Sequence, residues 1–222
     1  MDGDYPGDDL GFAVEDEPLL TARANAVDLG GTEPVEPATG AALRFLATAI
    51  NARAVVEIGT GCGSSGLWLL RGMRPGGVLT SVDTEPEYQR LARKVFAQAG
   101  FAGNQARLIL GRALDVLPRL SDGGYDLVFC DADPASYPEY LAEGLRLLRA
   151  GGVVVFGGAL EPFPREFASG SPEFAPGPPQ FAPGGQELAS GVRELAEVVR
   201  TDERLVPLLL PIAGGLLAAV KR

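Results

Sequence analysis

The fold of this 222-residue chain is decided by one stretch, Val55-Val-Glu-Ile-Gly-Thr-Gly-Cys-Gly-Ser-Ser-Gly66. It starts with apolar, β-branched residues that are typical of a buried strand, continues through closely spaced glycines, and leads into a helical pattern from Ser64. Glycine permits positive φ angles and lets the backbone approach a ligand closely. The stretch therefore predicts a strand, a tight turn that can face a ligand, and a helix.

Outward from this stretch, strand-like and helix-like patterns alternate. Strands are predicted at 54–58, 78–82, 106–110, 125–130 and 152–156, with helices at 64–71, 87–99, 113–120 and 137–149 between them. Such alternation predicts an α/β fold, a doubly wound, Rossmann-like sheet that is mostly parallel. A helix at 186–200 and two apolar runs around Gly214-Gly215, at 205–210 and 216–220, complete the chain. The two runs predict an antiparallel C-terminal hairpin and bring the sheet to about seven strands.

We expect one domain, over residues 18–222, because the length suits a single core. A short helix is predicted from about Pro18 to Asp28, and another over 41–50. Residues 1–17 are acidic and poor in apolar side chains, which predicts a disordered leader. Residues 161–185 contain seven prolines, many glycines and recurring phenylalanines. This insertion is either a lid over an aromatic acceptor or a low-complexity loop, and the pattern favours the loop.

Composition excludes several classes of function. The chain has 19 basic and 29 acidic residues, a formal charge of -10, no histidine and two cysteines. This balance argues against nucleic acids and anionic membranes as partners. The lack of histidine excludes imidazole-based catalysis, and two cysteines suit a reducing compartment. The longest apolar run, over 205–220, is too short and too interrupted to span a membrane, and no signal peptide precedes it. We therefore expect a cytoplasmic protein.

Carboxylates follow three of the predicted strands. Glu57 lies beside the glycine turn, Asp83 ends the second strand, and Asp131 and Asp133 follow the fourth. Acids at adjacent strand ends would repel a pyrophosphate, but they suit a cationic ligand. A carboxylate can also accept hydrogen bonds from the hydroxyls of a ribose. S-adenosylmethionine has a sulfonium, an amino group and a ribose. The G-x-G-x-x-G pattern of 61–66 keeps a nicotinamide-dependent oxidoreductase as a distant alternative.

Several motifs together resemble the class I O-methyltransferases of the catechol/caffeoyl-CoA type, and most closely their actinobacterial branch. They are Val56-Glu-Ile-Gly-Thr-Gly-Cys-Gly-Ser-Ser-Gly-Leu-Trp-Leu-Leu70, Val82-Asp-Thr-Glu-Pro-Glu87, Tyr125-Asp-Leu-Val-Phe-Cys-Asp-Ala-Asp133 and Leu147-Leu-Arg-Ala-Gly-Gly-Val153. The resemblance is strong over about 35–160 and looser over 186–222. It implies S-adenosyl-L-methionine as cofactor, a small-molecule acceptor, and a homodimer in which the helix at 41–50 packs against a second subunit.

The resemblance also implies roles for individual residues. The cofactor-binding set is Val35, Glu57, Gly59, Thr60, Gly61, Ser65, Asp83, Arg112, Ala113 and Asp133. Within it, Glu57 and Ser65 would hold the amino-acid part, Asp83 the ribose, and Arg112 and Ala113 the adenine. Asp131 would face cofactor and acceptor as the catalytic residue.

The chain differs from the family at the positions that serve catalysis rather than cofactor binding. Metal-dependent members hold a divalent ion with an Asp that Asp131 matches, and with an Asp-Asn pair that is Gly157-Gly158 here. A lysine that serves as base in relatives is replaced by Pro134. We therefore expect no metal site and a metal-independent O-methyltransferase for a small hydroxylated acceptor, such as a phenol. The alternative is a protein that binds S-adenosylmethionine with weak or lost catalysis.

Overall fold

A seven-stranded sheet forms the centre of the protein, in a computed structural model that describes residues 11, 13–101, 103–159 and 185–222. Its strand order is β3-β2-β1-β4-β5-β7-β6. The first five strands are mutually parallel, and β7 pairs antiparallel with both β5 and β6. The strands are β1 (Ala54–Ile58), β2 (Val78–Asp83), β3 (Ala106–Leu110), β4 (Tyr125–Cys130), β5 (Leu148–Phe156), β6 (Leu205–Leu210) and β7 (Leu216–Lys221). The predicted fold class is confirmed, including the antiparallel hairpin.

Helices cover both faces of the sheet, because consecutive strand residues point to opposite sides. Val55 packs with the helices of one face and Val56 with those of the other. The first face carries α1 (Glu17–Leu29), α2 (Pro37–Ala49), α3 (Ser64–Gly72) and α4 (Pro86–Gln98). The second carries α5 (Ala113–Val116), α6 (Tyr137–Leu147) and α7 (Gly185–Thr201). Two 3-10 turns, at Leu117–Arg119 and Pro134–Ser136, flank α5 and α6.

The topology determines where a ligand can bind. The chain runs outward from β1 through β2 to β3, and then returns to the other side of β1 to form β4. The strand order therefore reverses between β1 and β4, and doubly wound sheets bind ligands beyond the carboxyl ends of the strands at such a reversal. The acidic residues predicted to form the site lie at these strand ends: Glu57 near the end of β1, Asp83 as the last residue of β2, and Asp131 and Asp133 after β4.

The folded region begins earlier than the predicted boundary at residue 18. Asp16 caps α1 by accepting a hydrogen bond from the Leu19 amide and forms an ion pair with Arg71, while Glu15 forms one with Arg23. Residues 15–17 therefore contact the domain, although they were assigned to the disordered leader. Residues 1–10 lie outside the described part of the chain, as does the stretch 160–184 that contains nearly all of the 161–185 insertion.

The other element boundaries differ from the predictions by a few residues. Helix α2 begins at Pro37 rather than near 41, because proline is well suited to the first helical position. Strand β5 begins at Leu148, where the helical pattern was expected to continue to 149. Within the described residues, none of the helices is long and apolar enough to cross a bilayer.

Candidate active site

A cavity of about 410 Å³ lies at the carboxyl ends of β1, β2 and β4. Helix α1 and the segment 31–35 that follows it form its outer wall. Arg23 of α1 holds this wall in place, because its Nη2 donates to the Val35 carbonyl oxygen at 2.9 Å. The volume is in the range of small-molecule and cofactor sites. The cavity is thus formed partly by the glycine turn and partly by a distant segment.

The glycine turn brings two strand ends into close contact. Gly59 has a φ of +96°, and a Cβ at this position would stand 2.4 Å from the Asp131 carbonyl oxygen. Gly63 has the same φ and is the N-cap of α3. Residues with a side chain rarely adopt such angles, and the space beside Asp131 would not accommodate one. The turn therefore requires glycine at both positions for conformation and for space, since a Cβ at Gly63 would stand 3.0 Å from Ala92 Cα.

Glu57 is completely buried below the cavity floor and is not among the residues that line it. Its two carboxyl oxygens accept hydrogen bonds from Ser65 Oγ at 2.7 Å and Ser81 Oγ at 2.6 Å. Ser81 Oγ also lies 2.7 Å from Thr60 Oγ1. Burial raises the pKa of Glu57 to about 8, against the two serine hydrogen bonds that lower it. Burial thus favours the protonated form of this carboxyl group under the site.

Asp83 lines the cavity at the end of β2 and connects the two loops beside it. One carboxylate oxygen accepts from the Gly61 amide and the other from the Glu85 amide, both at 2.9 Å. A carboxylate has about four acceptor positions, so two hydrogen bonds leave capacity for ribose hydroxyls. This geometry agrees with the role that the resemblance implies for Asp83.

Two adjacent serines begin α3 and both line the cavity. Ser65 donates its hydroxyl hydrogen to Glu57. The Ser64 hydroxyl oxygen is buried and has no hydrogen-bond partner among the residues that the structure describes. A buried hydroxyl without a partner is unfavourable, so Ser64 is the side chain in this wall that a ligand would satisfy.

Asp131 lies at the end of β4, and its carboxylate packs against Gly157. A Cβ at position 157 would stand 2.4 Å from Asp131 Oδ1. The Tyr137 hydroxyl donates to the Gly157 carbonyl oxygen at 2.8 Å and holds this contact from the other side. Burial, reinforced by the nearby Asp131 charge, raises the pKa of Tyr137 well above its ordinary value, so Tyr137 remains a hydrogen-bond donor.

The structure brings together most of the residues predicted for the site. Eight line the cavity: Val35, Gly59, Thr60, Gly61, Ser65, Asp83, Ala113 and Asp131. Glu57 lies directly beneath them. Arg112 is exposed and is not part of the lining. Asp133 is also exposed, and it caps the 3-10 turn by accepting from the Ala135 amide and Ser136 Oγ.

The sequence did not indicate several other lining residues. They are Ala22, Ala26, Gly31, Thr32, Glu33, Pro34, Ser64 and Tyr140. The first six reach the cavity only because α1 packs against α3 and α4, which no local pattern predicts. Ser64 could have been found from its place at the start of a helix after a glycine turn, where side-chain hydroxyls often serve as donors or caps.

Comparison with known proteins gives a consistent result. A family model described as O-methyltransferase matches residues 19–222. A probable O-methyltransferase of Mycobacterium tuberculosis is 50% identical over 217 residues, covering 95% of this chain and 88% of that protein.

Solved structures agree with this family match. An O-methyltransferase of Streptomyces achromogenes, crystallised with S-adenosylmethionine, is 29% identical with a TM-score of 0.78, covering 94% of this chain and 91% of that one. A protein of Corynebacterium glutamicum is 28% identical with a TM-score of 0.77, covering 93% and 90%.

Proposed function

The chain belongs to the O-methyltransferase family and is an S-adenosylmethionine-dependent O-methyltransferase, and within that class we propose that it methylates a small hydroxylated acceptor, such as a phenol, without a divalent metal. S-adenosylmethionine, when bound, supplies an electrophilic methyl group on a positively charged sulfur. The rest of the reaction depends on how the protein's own residues position and deprotonate the acceptor.

The volume and the charge of the cavity both suit this cofactor. Its charged lining side chains among the described residues are Glu33, Asp83 and Asp131, all of them acids. A negative lining stabilises a cationic ligand and disfavours the pyrophosphate of a dinucleotide. This charge pattern, together with the family match, supports the methyltransferase over the nicotinamide-dependent oxidoreductase that the glycine pattern left open.

The contact between Gly157 and Asp131 carries the proposal of metal independence. Position 157 corresponds to a metal ligand in the metal-dependent members that the sequence resembles. Here the Asp131 carboxylate occupies the space in which a side chain at 157 would begin, since that Cβ would stand 2.4 Å from Oδ1. Magnesium usually needs one or two carboxylates within a near-octahedral oxygen shell. Asp131 and a glycine do not supply that set.

Asp131 is then the group that faces the acceptor hydroxyl. Asp131 lines the cavity together with Tyr140 and Ala132, and its carboxylate would accept the hydroxyl proton as the acceptor oxygen attacks the methyl carbon. The protein's further contribution is positioning, because in-line methyl transfer gains much from holding both reactants in a closed site. The second candidate, cofactor binding without turnover, remains the alternative for a site without a metal pair or lysine.

Methyl transfer from labelled S-adenosylmethionine to a panel of phenols, catechols and small hydroxylated metabolites tests the proposal. We expect product with at least one acceptor, and the same rate with and without EDTA. Loss of activity in EDTA and its return with magnesium would show that the reaction needs a metal. Tight cofactor binding with no product from any acceptor would favour the alternative of lost catalysis.

Asp131→Asn removes the proposed proton acceptor while keeping the size of the side chain. We expect kcat to fall about 100-fold, as for loss of a general base, while the Kd for S-adenosylmethionine rises by less than about tenfold, because one of the three acids that line the cavity becomes neutral. Isothermal titration and initial rates measure the two quantities. Glu139→Gln, which neutralises an exposed carboxylate on α6, is the control and should retain wild-type kcat. Equal kcat values for the two variants would exclude Asp131 as base.

Gly157→Ala tests the contact between Gly157 and Asp131. The new methyl group must displace the Asp131 carboxylate, because the alternative is a 2.4 Å contact with Oδ1. Since a short side chain can rotate away, we expect only a small loss of thermal stability but about a tenfold lower kcat. Rates and melting temperatures of this variant, alone and combined with Asp131→Asn, check this. Independent effects in the double variant would mean that the two residues do not act together.

We also propose that the enzyme is a cytoplasmic homodimer that does not bind nucleic acid. Phe45 on α2 is 70% exposed, which supports the packing of this helix against a second subunit. Cys62 and Cys130 are both buried and unpaired, as suits a reducing compartment. Sedimentation equilibrium of the wild type and of Phe45→Ser tests the dimer, and an unchanged monomer mass for both would contradict it.

A further inference from the structure

We propose that Glu33 is a specificity-determining residue, which makes the enzyme discriminate against acceptors that carry a carboxylate or another anionic group. The inference rests on the proposed function, the O-methylation of a small hydroxylated acceptor, and it narrows that substrate class to neutral and cationic acceptors. Glu33 acts on the acceptor through its charge and takes no part in the transfer of the methyl group.

Glu33 belongs to the outer wall of the cavity. It lines the cavity from the segment 31–35, whereas Asp83 and Asp131 line it from the strand ends. Glu33 is also exposed to solvent. A residue that both lines a cavity and is exposed lies where that cavity opens, so an acceptor that enters past this wall meets the Glu33 carboxylate.

The segment that carries Glu33 is held at both of its ends. Before it, the Tyr88 hydroxyl of α4 donates to the Gly30 carbonyl oxygen at 3.1 Å. At its end, Arg23 Nη2 of α1 donates to the Val35 carbonyl oxygen at 2.9 Å. These two hydrogen bonds come from different helices and enclose only a few residues. The backbone at Glu33 is therefore fixed at the wall, and its negative charge stays beside the cavity.

The Glu33 carboxylate is not neutralised by any of the residues that the structure describes. It has neither an ion pair nor a hydrogen bond with them. Arg23, which anchors the segment, already pairs with Glu15, because its Nε and Nη2 donate to the two carboxylate oxygens at 2.9 Å. The full charge of Glu33 therefore acts on whatever enters the cavity.

The acids of the cavity affect an anionic acceptor more than they affect the cofactor. S-adenosylmethionine carries a sulfonium and an amino group, which these acids attract. An acceptor with a carboxylate instead adds a negative charge to a cavity whose charged lining, within the described residues, is Glu33, Asp83 and Asp131. Clefts lined by charges of one sign lower the local concentration of ligands of that sign. Asp83 is assigned to the ribose and Asp131 to the proton, which leaves Glu33 for the choice of acceptor.

The test uses three acceptors that share one ring and differ in charge: dihydroxyphenylacetate, dihydroxyphenylethanol and dihydroxyphenylethylamine. Initial rates at saturating S-adenosylmethionine give kcat/KM for each with the wild type, Glu33→Gln and Glu33→Lys. We expect Glu33→Gln to raise kcat/KM for the acid about fivefold relative to the alcohol and to lower it for the amine by a similar factor. Glu33→Lys should shift both ratios further. Because Glu33 is exposed, about 0.5 M sodium chloride should reduce these differences.

Glu36→Gln is the matched control, because Glu36 is an exposed acid on the same stretch that does not line the cavity. It should keep the wild-type ratios. Unchanged ratios in Glu33→Gln, or equal changes in Glu33→Gln and Glu36→Gln, would overturn the proposal.

The affinities of the three compounds for the complex with S-adenosylhomocysteine give a second readout that needs no turnover. Affinities that follow charge and depend on Glu33, without product from any of the three compounds, would support the role of Glu33 and count against the proposed function. Product formation with ratios that do not depend on Glu33 would refute the role of Glu33 alone. The two failures are therefore distinguishable.

Discussion

Gly59→Ala is expected to lower the free energy of unfolding by about 3 kcal/mol or more, a range that single substitutions reach only through a specific structural conflict. The new Cβ would lie 2.4 Å from the Asp131 carbonyl oxygen, and the φ of +96° would be strained for any residue with a side chain. The obstructing atom belongs to the backbone that follows β4. It cannot rotate away, and moving it would separate β1 from β4 at the cavity.

Urea unfolding of Gly59→Ala and of Gly76→Ala separates the two causes. Gly76 has a φ of +75° but nothing within 4 Å of an added Cβ. Its substitution therefore carries the backbone strain alone, which costs about 1–2 kcal/mol. We expect the excess loss at Gly59 to be accompanied by weaker cofactor binding, while Gly76→Ala binds normally. Equal losses of stability in both variants would show that the contact between the turn and Asp131 is unimportant.

Glu57→Gln should remove a large part of the pH dependence of stability. In the folded protein, burial raises the pKa of Glu57 to about 8, whereas the ordinary value is 4.5. Between these two values the unfolded chain has lost the proton that the folded protein retains. The stability that this group contributes is thus fully present below about pH 4.5 and is lost as the pH rises towards 8, with a slope of up to about 1.4 kcal/mol per pH unit.

Urea unfolding at pH 5, 6, 7 and 8 measures this dependence. Glutamine keeps a neutral group of similar shape between Ser65 and Ser81, so the free energy of unfolding of the variant should decline much less over this range. The difference in unfolding free energy between the wild type and Glu57→Gln should therefore shift against the wild type as the pH rises. Parallel curves for the wild type and the variant would mean that Glu57 is ionised in the folded state.

Asp202→Asn is a control of opposite sign. Hydrogen bonds from Arg204 lower the pKa of Asp202 to about 2. The stability from this group is present above the ordinary pKa of the carboxyl, 3.8, and is lost as the pH falls towards 2. Asp202→Asn should accordingly leave the decline between pH 5 and 8 unchanged. A changed decline of the unfolding free energy between pH 5 and 8 in Asp202→Asn would show that groups other than Glu57 contribute to it.

Much of the site could be predicted because it follows from local rules. A β-branched run followed by Gly59, Gly61 and Gly63 predicts a strand and a close turn, since few other residues tolerate the required φ angles. Asp83 ends one buried strand and Asp131 directly follows another, so parallel pairing alone brings both to one edge of the sheet. The structure confirms the fold class, and it places both acids in the lining of the cavity.

The parts that could not be predicted depend on contacts between distant segments. Segment 31–35 covers the cavity because Arg23 of α1 binds the Val35 carbonyl, and no periodicity in either stretch indicates that contact. Asp133 follows the same strand as Asp131, yet it turns outward to cap a 3-10 turn. A strand position tells where a side chain starts, but neighbouring groups decide where it points.

The sequence by itself determined the fold class, the glycine turn, the acids at the strand ends and the cofactor class. Only the tertiary structure decided that Ser65 donates to Glu57, that Glu57 is buried, and that the Asp131 carboxylate contacts Gly157. The physical reason is how far apart along the chain the interacting residues lie. Backbone conformation and hydrophobic periodicity are set by adjacent residues, whereas the partner of a hydroxyl or carboxyl group is set by whichever segments pack around it.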